Sequence, residues 1–282
     1  MVINELLKKS SCDIRDSILI LCKLLDVDKS TIYTYGDREV SPNIVDKFLE
    51  LTVKRATGYP IQYILGQWEF MGLDFYLEEG VLVPRPDTEI LVEYIIGYIK
   101  EKYKTIPIKL LDLGVGSGAI SLSIGNYCEN AEVIGVDISD IAIKVASINK
   151  NRLKLDNVSF YKGDLFEALE DLNLEGQFQI IASNPPYISK DELEKLHTTV
   201  KDFEPRLALD GGLDGLDFYR RITYLSKEFL QDGGLLIYEI GYDQAKAVED
   251  ILIKEGFRET TILKDLQGHN RVVFGMKKVE VG

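Results

Sequence analysis

The chain has 282 residues, 45% of them hydrophobic, and a formal net charge of −13. That length holds one large domain or two smaller ones, and the composition is that of an ordinary globular protein. The acidic balance argues against general binding of phosphate backbones, which rests on clustered Lys and Arg, and suits a positively charged cofactor or a basic partner.

No apolar run reaches the roughly 18 residues that span a bilayer, and Met1 to Ser10 is amphipathic with no signal-like apolar core, so a cytoplasmic protein is expected. Cys12, Cys22 and Cys128 form no Cys-x-x-Cys pair, which suggests neither a zinc cage nor a disulfide framework. The two histidines, His197 and His269, make His-rich metal sites and a Ser-His-Asp mechanism poor expectations. His197 follows the acidic Asp191–Glu194 stretch and is expected on a solvated helix.

The first part of the chain, to about Phe75, reads as helical. Asn4 to Ser10 and Asp13 to Leu25 carry apolar residues at helical spacing, with Ile14, Ile18, Leu21 and Leu25 on one face. Ser41-Pro42 predicts a helix start with Ser as cap and Pro at the first position; Ile44, Phe48 and Leu51 line that helix, and Gly58 stops it. Pro60 starts a short helix through Leu65. In Gln67 to Leu77 the aromatic residues Trp68, Phe70, Phe75 and Tyr76 flank Gly72, which predicts a hairpin. Pro84-Arg85-Pro86-Asp87-Thr88-Glu89 breaks the chain, and Asp87 or Thr88 is expected to cap a helix from Glu89 to about Lys102.

From Ile108 strands and helices alternate. Strands are predicted at Lys109–Leu113, Glu132–Asp137, Val158–Lys162, Phe178–Ser183, Gly234–Ile240, Glu259–Leu263 and Arg271–Met276, with helices at Ile141–Arg152, Asp217–Leu230 and Tyr242–Glu255. This alternation predicts a parallel sheet covered on both faces. The connector from Lys264 to Asn270 is too short for a crossover, so the last two strands should be antiparallel.

Two stretches carry chemistry. In Asp112-Leu113-Gly114-Val115-Gly116-Ser117-Gly118-Ala119 a strand runs into a glycine loop and then a helix, which brings backbone close to a ligand without Cβ obstruction. Asp137 ends the next strand, where an acid meets a ribose. Gly114-x-Gly116-x-x-Ala119 also fits a permissive dinucleotide fingerprint, which keeps an NAD enzyme open. Against it stand the third glycine, Gly118, and acidic residues after successive strands. Asp112 can orient the loop or face a cationic methionine portion, and Asp164 can accept from an adenine amine while Leu165 covers the ring. Those acids suit S-adenosyl-L-methionine, which has a sulfonium and an ammonium but no pyrophosphate. The second stretch is Asn184-Pro185-Pro186-Tyr187, at the end of an apolar strand. It is either a turn or a grip on a planar group bearing an NH2: Asn offers an acceptor and donors, the prolines fix carbonyl directions, and Tyr offers a flat face.

With these motifs the chain resembles the HemK family, the glutamine amide-nitrogen methyltransferases that act on peptide-chain release factors. The matching pieces include Pro60-x-x-Tyr63-x-x-Gly66, Phe70, Val83–Glu89, the glycine loop, Asn184–Ile188, Phe203-Glu204-Pro205, Leu209–Leu216 and Tyr219–Ile222. The resemblance implies an α/β class I methyltransferase fold, Rossmann-like, with a seven-stranded mixed sheet whose last strand is antiparallel. It implies a helical, partner-docking domain at residues 1–66, a hairpin linker at 67–80 and the catalytic domain at 81–282. The implied cofactor is S-adenosyl-L-methionine, bound by Asp112, Gly114, Val115, Gly116, Ser117, Gly118, Asp137, Asp164, Leu165 and Asn184. The implied substrate is the Gly-Gly-Gln glutamine of class I release factors. On this reading Asn184 and Pro185 accept the amide hydrogens, Tyr187 stacks on the amide, and Pro186, Arg85 and Glu89 line the substrate path. Capping of the helix after Pro86 competes for the last two, and Glu204 and Arg206 read as structural ions. A nucleic-acid amino-methyltransferase, which shares Asn-Pro-Pro-Tyr, predicts a basic groove, against which the net charge of −13 and the want of a basic, aromatic-interleaved stretch argue; no nucleic-acid or membrane partner is expected. A binding module that kept only the fold is disfavoured by an intact Asn184.

Overall fold

The computed structural model describes residues 1–195 and 202–279; His197 lies outside them. The chain opens with five helices, α1 (Ile3–Lys8), α2 (Ile14–Leu25), α3 (Lys29–Thr34), α4 (Pro42–Ala56) and α5 (Ile61–Leu65). Helix α2 starts where the Asp13 carboxylate accepts from the Arg15 N–H at 2.8 Å, an N-cap bond that satisfies one of the free amides of a first turn. Ile18 and Leu21 are buried as the spacing predicts, but Ile14 overhangs the first turn and stays exposed. Ser41 precedes α4 without capping it; its hydroxyl donates to Asn43 Oδ1 at 2.6 Å instead. Short α3, which the spacing does not show, is capped by Asp28, whose Oδ1 accepts from the Thr31 N–H at 2.8 Å. These helices share a core of Ile3, Leu6, Ile18, Leu21, Ile32 and Phe48, against which Phe203 also packs.

Strands β1 (Gln67–Phe70) and β2 (Leu73–Tyr76) form the expected hairpin. Its two-residue loop holds Met71 at φ 52° and Gly72 at φ 70°, the left-handed pair that matches the twist of a hairpin. Helix α6 (Pro86–Tyr98) begins earlier than expected. Pro86 is its first residue and Arg85 its cap position, so Asp87 and Thr88 sit inside the first turn and neither is the cap. A π-helical turn, Ile99–Tyr103, prolongs α6.

The remaining strands, β3 (Ile108–Leu113), β4 (Ala131–Asp137), β5 (Val158–Lys162), β6 (Phe178–Ser183), β7 (Leu230–Glu239), β8 (Arg258–Lys264) and β9 (Asn270–Met276), form one sheet in the order β5-β4-β3-β6-β7-β9-β8. All neighbours from β5 to β7 are parallel, and β9 runs antiparallel to both β7 and β8. Strand β7 starts four residues before its expected start at Gly234, because Leu230 pairs with Phe178 across a register shift that absorbs Gly233 and Gly234. Helices α7 (Ala119–Tyr127), α8 (Asp140–Leu153), α9 (Lys190–Leu193), α10 (Asp217–Phe229) and α11 (Ala245–Lys254) connect the strands, and a 3-10 segment, Leu165–Leu172, was not legible in the spacing.

Alternation sorts each strand's side chains to two layers. Leu110, Val133, Ile180 and Ile237 meet α6 and α7 on one face. Leu111, Ile134, Ile181 and Leu236 meet α10 and α11 on the other. Both faces are buried, which explains the near-continuous apolar runs. Among the described residues no helix is long and apolar enough to cross a membrane.

Candidate active site

Strand order reverses between β3 and β6, and a cavity opens there, at the carboxyl ends of β3 to β6. This is where open α/β sheets place ligands. The glycine loop lines it. Gly114, Gly116 and Gly118 have φ of 88°, 56° and 87°, a region that side chains other than Gly adopt at a cost. A Cβ on Gly118 would stand 2.7 Å from Leu122 Cδ1, whereas one on Gly116 would meet nothing within 4 Å and would project into open space. Gly118, expected in the lining, is not brought to it and packs against Leu122 and Ala146, whereas Gly116 leaves backbone bare beside the cavity.

The loop is held from both sides. The Gly114 and Val115 amides donate to Val136 O at 2.8 and 3.2 Å. The Gly116 amide donates to Asp137 Oδ2 at 2.9 Å and the Ser139 amide to Asp137 Oδ1 at 2.9 Å. Burial pushes the Asp137 carboxyl up, and those backbone amides oppose it. Asn149, on α8, donates to Ser117 O at 2.9 Å and to Tyr76 O at 3.0 Å, and accepts from the Tyr76 N–H at 2.7 Å. It thereby ties the hairpin to the glycine loop.

Gly114, Val115, Gly116, Ser117, Asp137, Asp164, Leu165 and Asn184 all line the cavity. Asp164 also pairs with Arg221 at 2.7 Å. Asp112 is not brought to the lining. It is fully buried beneath the loop, where Oδ2 accepts from the Ser121 amide at 3.1 Å and the Ser121 hydroxyl at 2.5 Å. Its Oδ1 has no partner among the described residues. Burial pushes its carboxyl up to about 7 against those two bonds. Asp112 thus anchors the start of α7 and does not face a ligand.

Asn184, Pro185 and Pro186 face the same cavity. Ser183 Oγ donates to Leu113 O at 2.6 Å and fixes the end of β6 against β3. Beyond the prolines the chain is clamped. Ile188 N donates to Leu209 O at 3.0 Å and Gly211 N to Ile188 O at 2.9 Å. Gln244 Nε2 donates to Tyr187 O at 2.8 Å while its Oε1 accepts from the Gly241 N–H at 3.1 Å. This use of Gln244 delays the start of α11 to Ala245. The Tyr187 ring departs from expectation: it packs on the core face shared by β7 and α10 and does not line the cavity. Its burial pushes the hydroxyl up to about 12.

Arg85 lines the cavity and makes a short ion pair with Glu204, which is buried. The pair holds Phe203-Glu204-Pro205 between the cavity, which Pro205 lines, and Tyr59, whose ring is 5.3 Å from that of Phe203. Glu89 does not reach the cavity; its Oε1 accepts from the Met71 N–H at 2.8 Å and secures the hairpin loop. Asp87 pairs with Arg271 at 3.2 Å. Asn149, Gln244, Thr88 and Glu239 escape sequence reading, since each acts across a helix or strand far from the two motifs.

The glycine cradle and the cavity-facing Asp137 carboxylate fit a nucleoside cofactor with vicinal hydroxyls. Residues 107–241 match the model of a methyltransferase domain, and residues 3–66 match that of the PrmC N-terminal domain. A release factor glutamine methyltransferase from Clostridium acetobutylicum is 46% identical over 264 residues, covering 93% of this chain and 90% of the relative. One from Thermodesulfovibrio yellowstonii is 38% identical, covering 98% and 96%. The crystal structure of a methyltransferase from Pyrococcus furiosus, 18% identical, superposes with a TM-score of 0.54 over 74% of this chain and 91% of that one, which shows a shared methyltransferase fold.

Proposed function

The chain belongs to the release factor glutamine methyltransferase family, and from that premise we propose how its own residues carry the reaction. It transfers a methyl group from S-adenosyl-L-methionine to the side-chain amide nitrogen of a release-factor glutamine. We assign that glutamine to the Gly-Gly-Gln motif of class I release factors.

The observation that carries the reading is the sharing of one cavity by the glycine loop, Asp137 and Asn184-Pro185-Pro186. The bare backbone of Gly114–Gly116 and the Asp137 carboxylate hold the nucleoside end, the acid accepting from the ribose hydroxyls. When bound, the cofactor supplies a methyl group already activated on a sulfonium. A carboxamide nitrogen is a weak nucleophile, because its lone pair is delocalised into the carbonyl, so the protein's task is alignment and electrostatics. The Asn184 side-chain oxygen and the Pro185 carbonyl accept the two amide hydrogens and turn the nitrogen toward the methyl. As the C–N bond forms, the nitrogen gains positive character and both acceptors bind more strongly, which is selectivity for the transition state. Transfer would leave the S–C electron pair on sulfur, and the methylated nitrogen would release one proton to water. No base is needed before attack. Tyr187 supports the segment from the core side. Residues 1–66, whose core also takes in Leu77, Val83 and Phe203, serve as the docking module for the release factor.

Incubation with methyl-labelled S-adenosyl-L-methionine and an unmethylated release factor tests this. Label on the Gly-Gly-Gln glutamine is expected; label in ribosomal RNA or DNA, or none on the factor, refutes it.

A further inference from the structure

Outside the cavity lining, beside Asn184, stands a carboxylate that the scheme above does not use. Glu239 is the last residue of β7, and the register that pairs Ser183 with Tyr238 places it next to Asn184 across the sheet. It is 3% exposed, and its Oε2 has no partner among the described residues. Thr88 and Asn184 are the polar neighbours whose side chains lower its carboxyl against the effect of burial. Asn184 Nδ2 also donates to Thr88 Oγ1, at 3.4 Å. Burying a carboxylate with so few partners is costly, and a neutral side chain of the same size would cost less.

What an ionised carboxylate contributes is one-sidedness. It only accepts hydrogen bonds, so a neighbouring primary amide must turn its NH2 toward it. Thr88 reinforces the choice, because its oxygen accepts from Asn184 Nδ2. Both neighbours therefore take Asn184 Nδ2, and Oδ1 is left facing the cavity.

We propose that Glu239 is a positioning residue whose carboxylate holds the Asn184 amide with Nδ2 inward and Oδ1 directed at the substrate nitrogen. The inference rests on reading Asn184 as the acceptor for the glutamine amide, and it explains why the opposite orientation, which would present a donor to a donor, is not populated. It also makes the reaction sensitive to protonation of Glu239. Burial, the larger cause, with Asp87 on α6 raises its carboxyl to about 7, against lowering by Thr88, Arg271 on β9 and Asn184. Tyr187 and Tyr219 also face it, and burial keeps both hydroxyls protonated there. Once protonated, Glu239 can donate to Asn184 Oδ1, the amide orientation is no longer dictated, and turnover falls as pH drops through that range.

The test is Glu239→Gln in the full chain, assayed on an unmethylated release factor from pH 6 to pH 8, with cofactor affinity measured by calorimetry. The expected result is a kcat about 30-fold lower at pH 8, with the KM for the factor and the cofactor affinity within about 2-fold of the parent. The acid-side fall in kcat seen in the parent should vanish in the variant. Glu239→Asp, which keeps an acceptor-only group, should restore part of kcat and retain the acid-side fall. It carries the test alone if the Gln variant does not fold. A Gln variant with parental kcat, or one that keeps the parental pH profile, overturns the inference, as does an Asp variant lacking the acid-side fall. Failure of the parent chain to label the factor overturns instead the functional reading beneath it.

Discussion

Replacement of Asp112 by Asn tests whether the acid under the glycine loop is a liability that the fold tolerates. A carboxyl that protonates at about 7 in the fold and near 3.8 in the open chain is about 4 kcal/mol less stable as an anion in the folded state. Between those two values the folded chain holds a proton there that the unfolded chain has released. Stability from this group is therefore present in full below pH 3.8 and declines by up to about 1.4 kcal/mol per pH unit until about pH 7, after which it is flat. The amide introduced by Asp112→Asn would keep an acceptor for Ser121 and would carry no charge. Its NH2, replacing the partnerless Oδ1, costs about 1–3 kcal/mol. The two effects leave Asp112→Asn close to neutral at pH 5.5 and more stable by about 1–3 kcal/mol at pH 8. Urea unfolding of parent and variant across that pH range reads the difference directly, because Glu239 and Glu204 titrate in both proteins and cancel. A difference that is constant with pH, or that shrinks as pH rises, refutes the reasoning.

Asn184→Ala should leave cofactor binding within about 2-fold and lower kcat about 100- to 1,000-fold, the range for losing one preorganised partner of the transition state; near-normal turnover would sink the proposed grip. Asp137→Ala should weaken S-adenosyl-L-methionine binding about 100-fold by calorimetry, two charge-assisted hydrogen bonds being lost, and unchanged affinity would remove Asp137 from the site. A Cβ at Gly211 would lie 2.8 Å from the Tyr187 backbone, so Gly211→Ala should cost about 1–3 kcal/mol in urea unfolding and shift the Asn184–Tyr187 segment enough to lower kcat; parental values of both would show that the clamp yields without consequence.

The central strands after Ile108 were legible because a sheet buried on both faces writes long apolar runs, and Ile108–Leu113 and Phe178–Ser183 fall where those runs do. The beginning of β7 was not, since Gly233-Gly234 interrupts its run while the backbone pairs on past them. The site divides in the same way. Gly114–Gly118, Asp137 and Asn184–Pro186 are contiguous motifs, or a strand end, whose backbone delivers them to the sheet's carboxyl edge. Residues whose part depends on where a side chain points were misplaced: Tyr187 turns to the core, Asp112 goes beneath the loop, and Glu89 goes to the hairpin. Thr88, Asn149, Gln244 and Glu239 leave no local pattern, because their partners are set by helix rotation and strand register.

Asn149 gives the glycine loop a property that its own composition would deny it. Three glycines in five residues make a stretch with much backbone freedom to lose, and ordering a backbone residue costs about 1–2 kcal/mol. The Asn149 amide, bonded to Ser117 and to both backbone groups of Tyr76, settles that loss when the chain folds. A ligand then meets a rigid rim, so its contacts appear as affinity and are not consumed in organising the receptor.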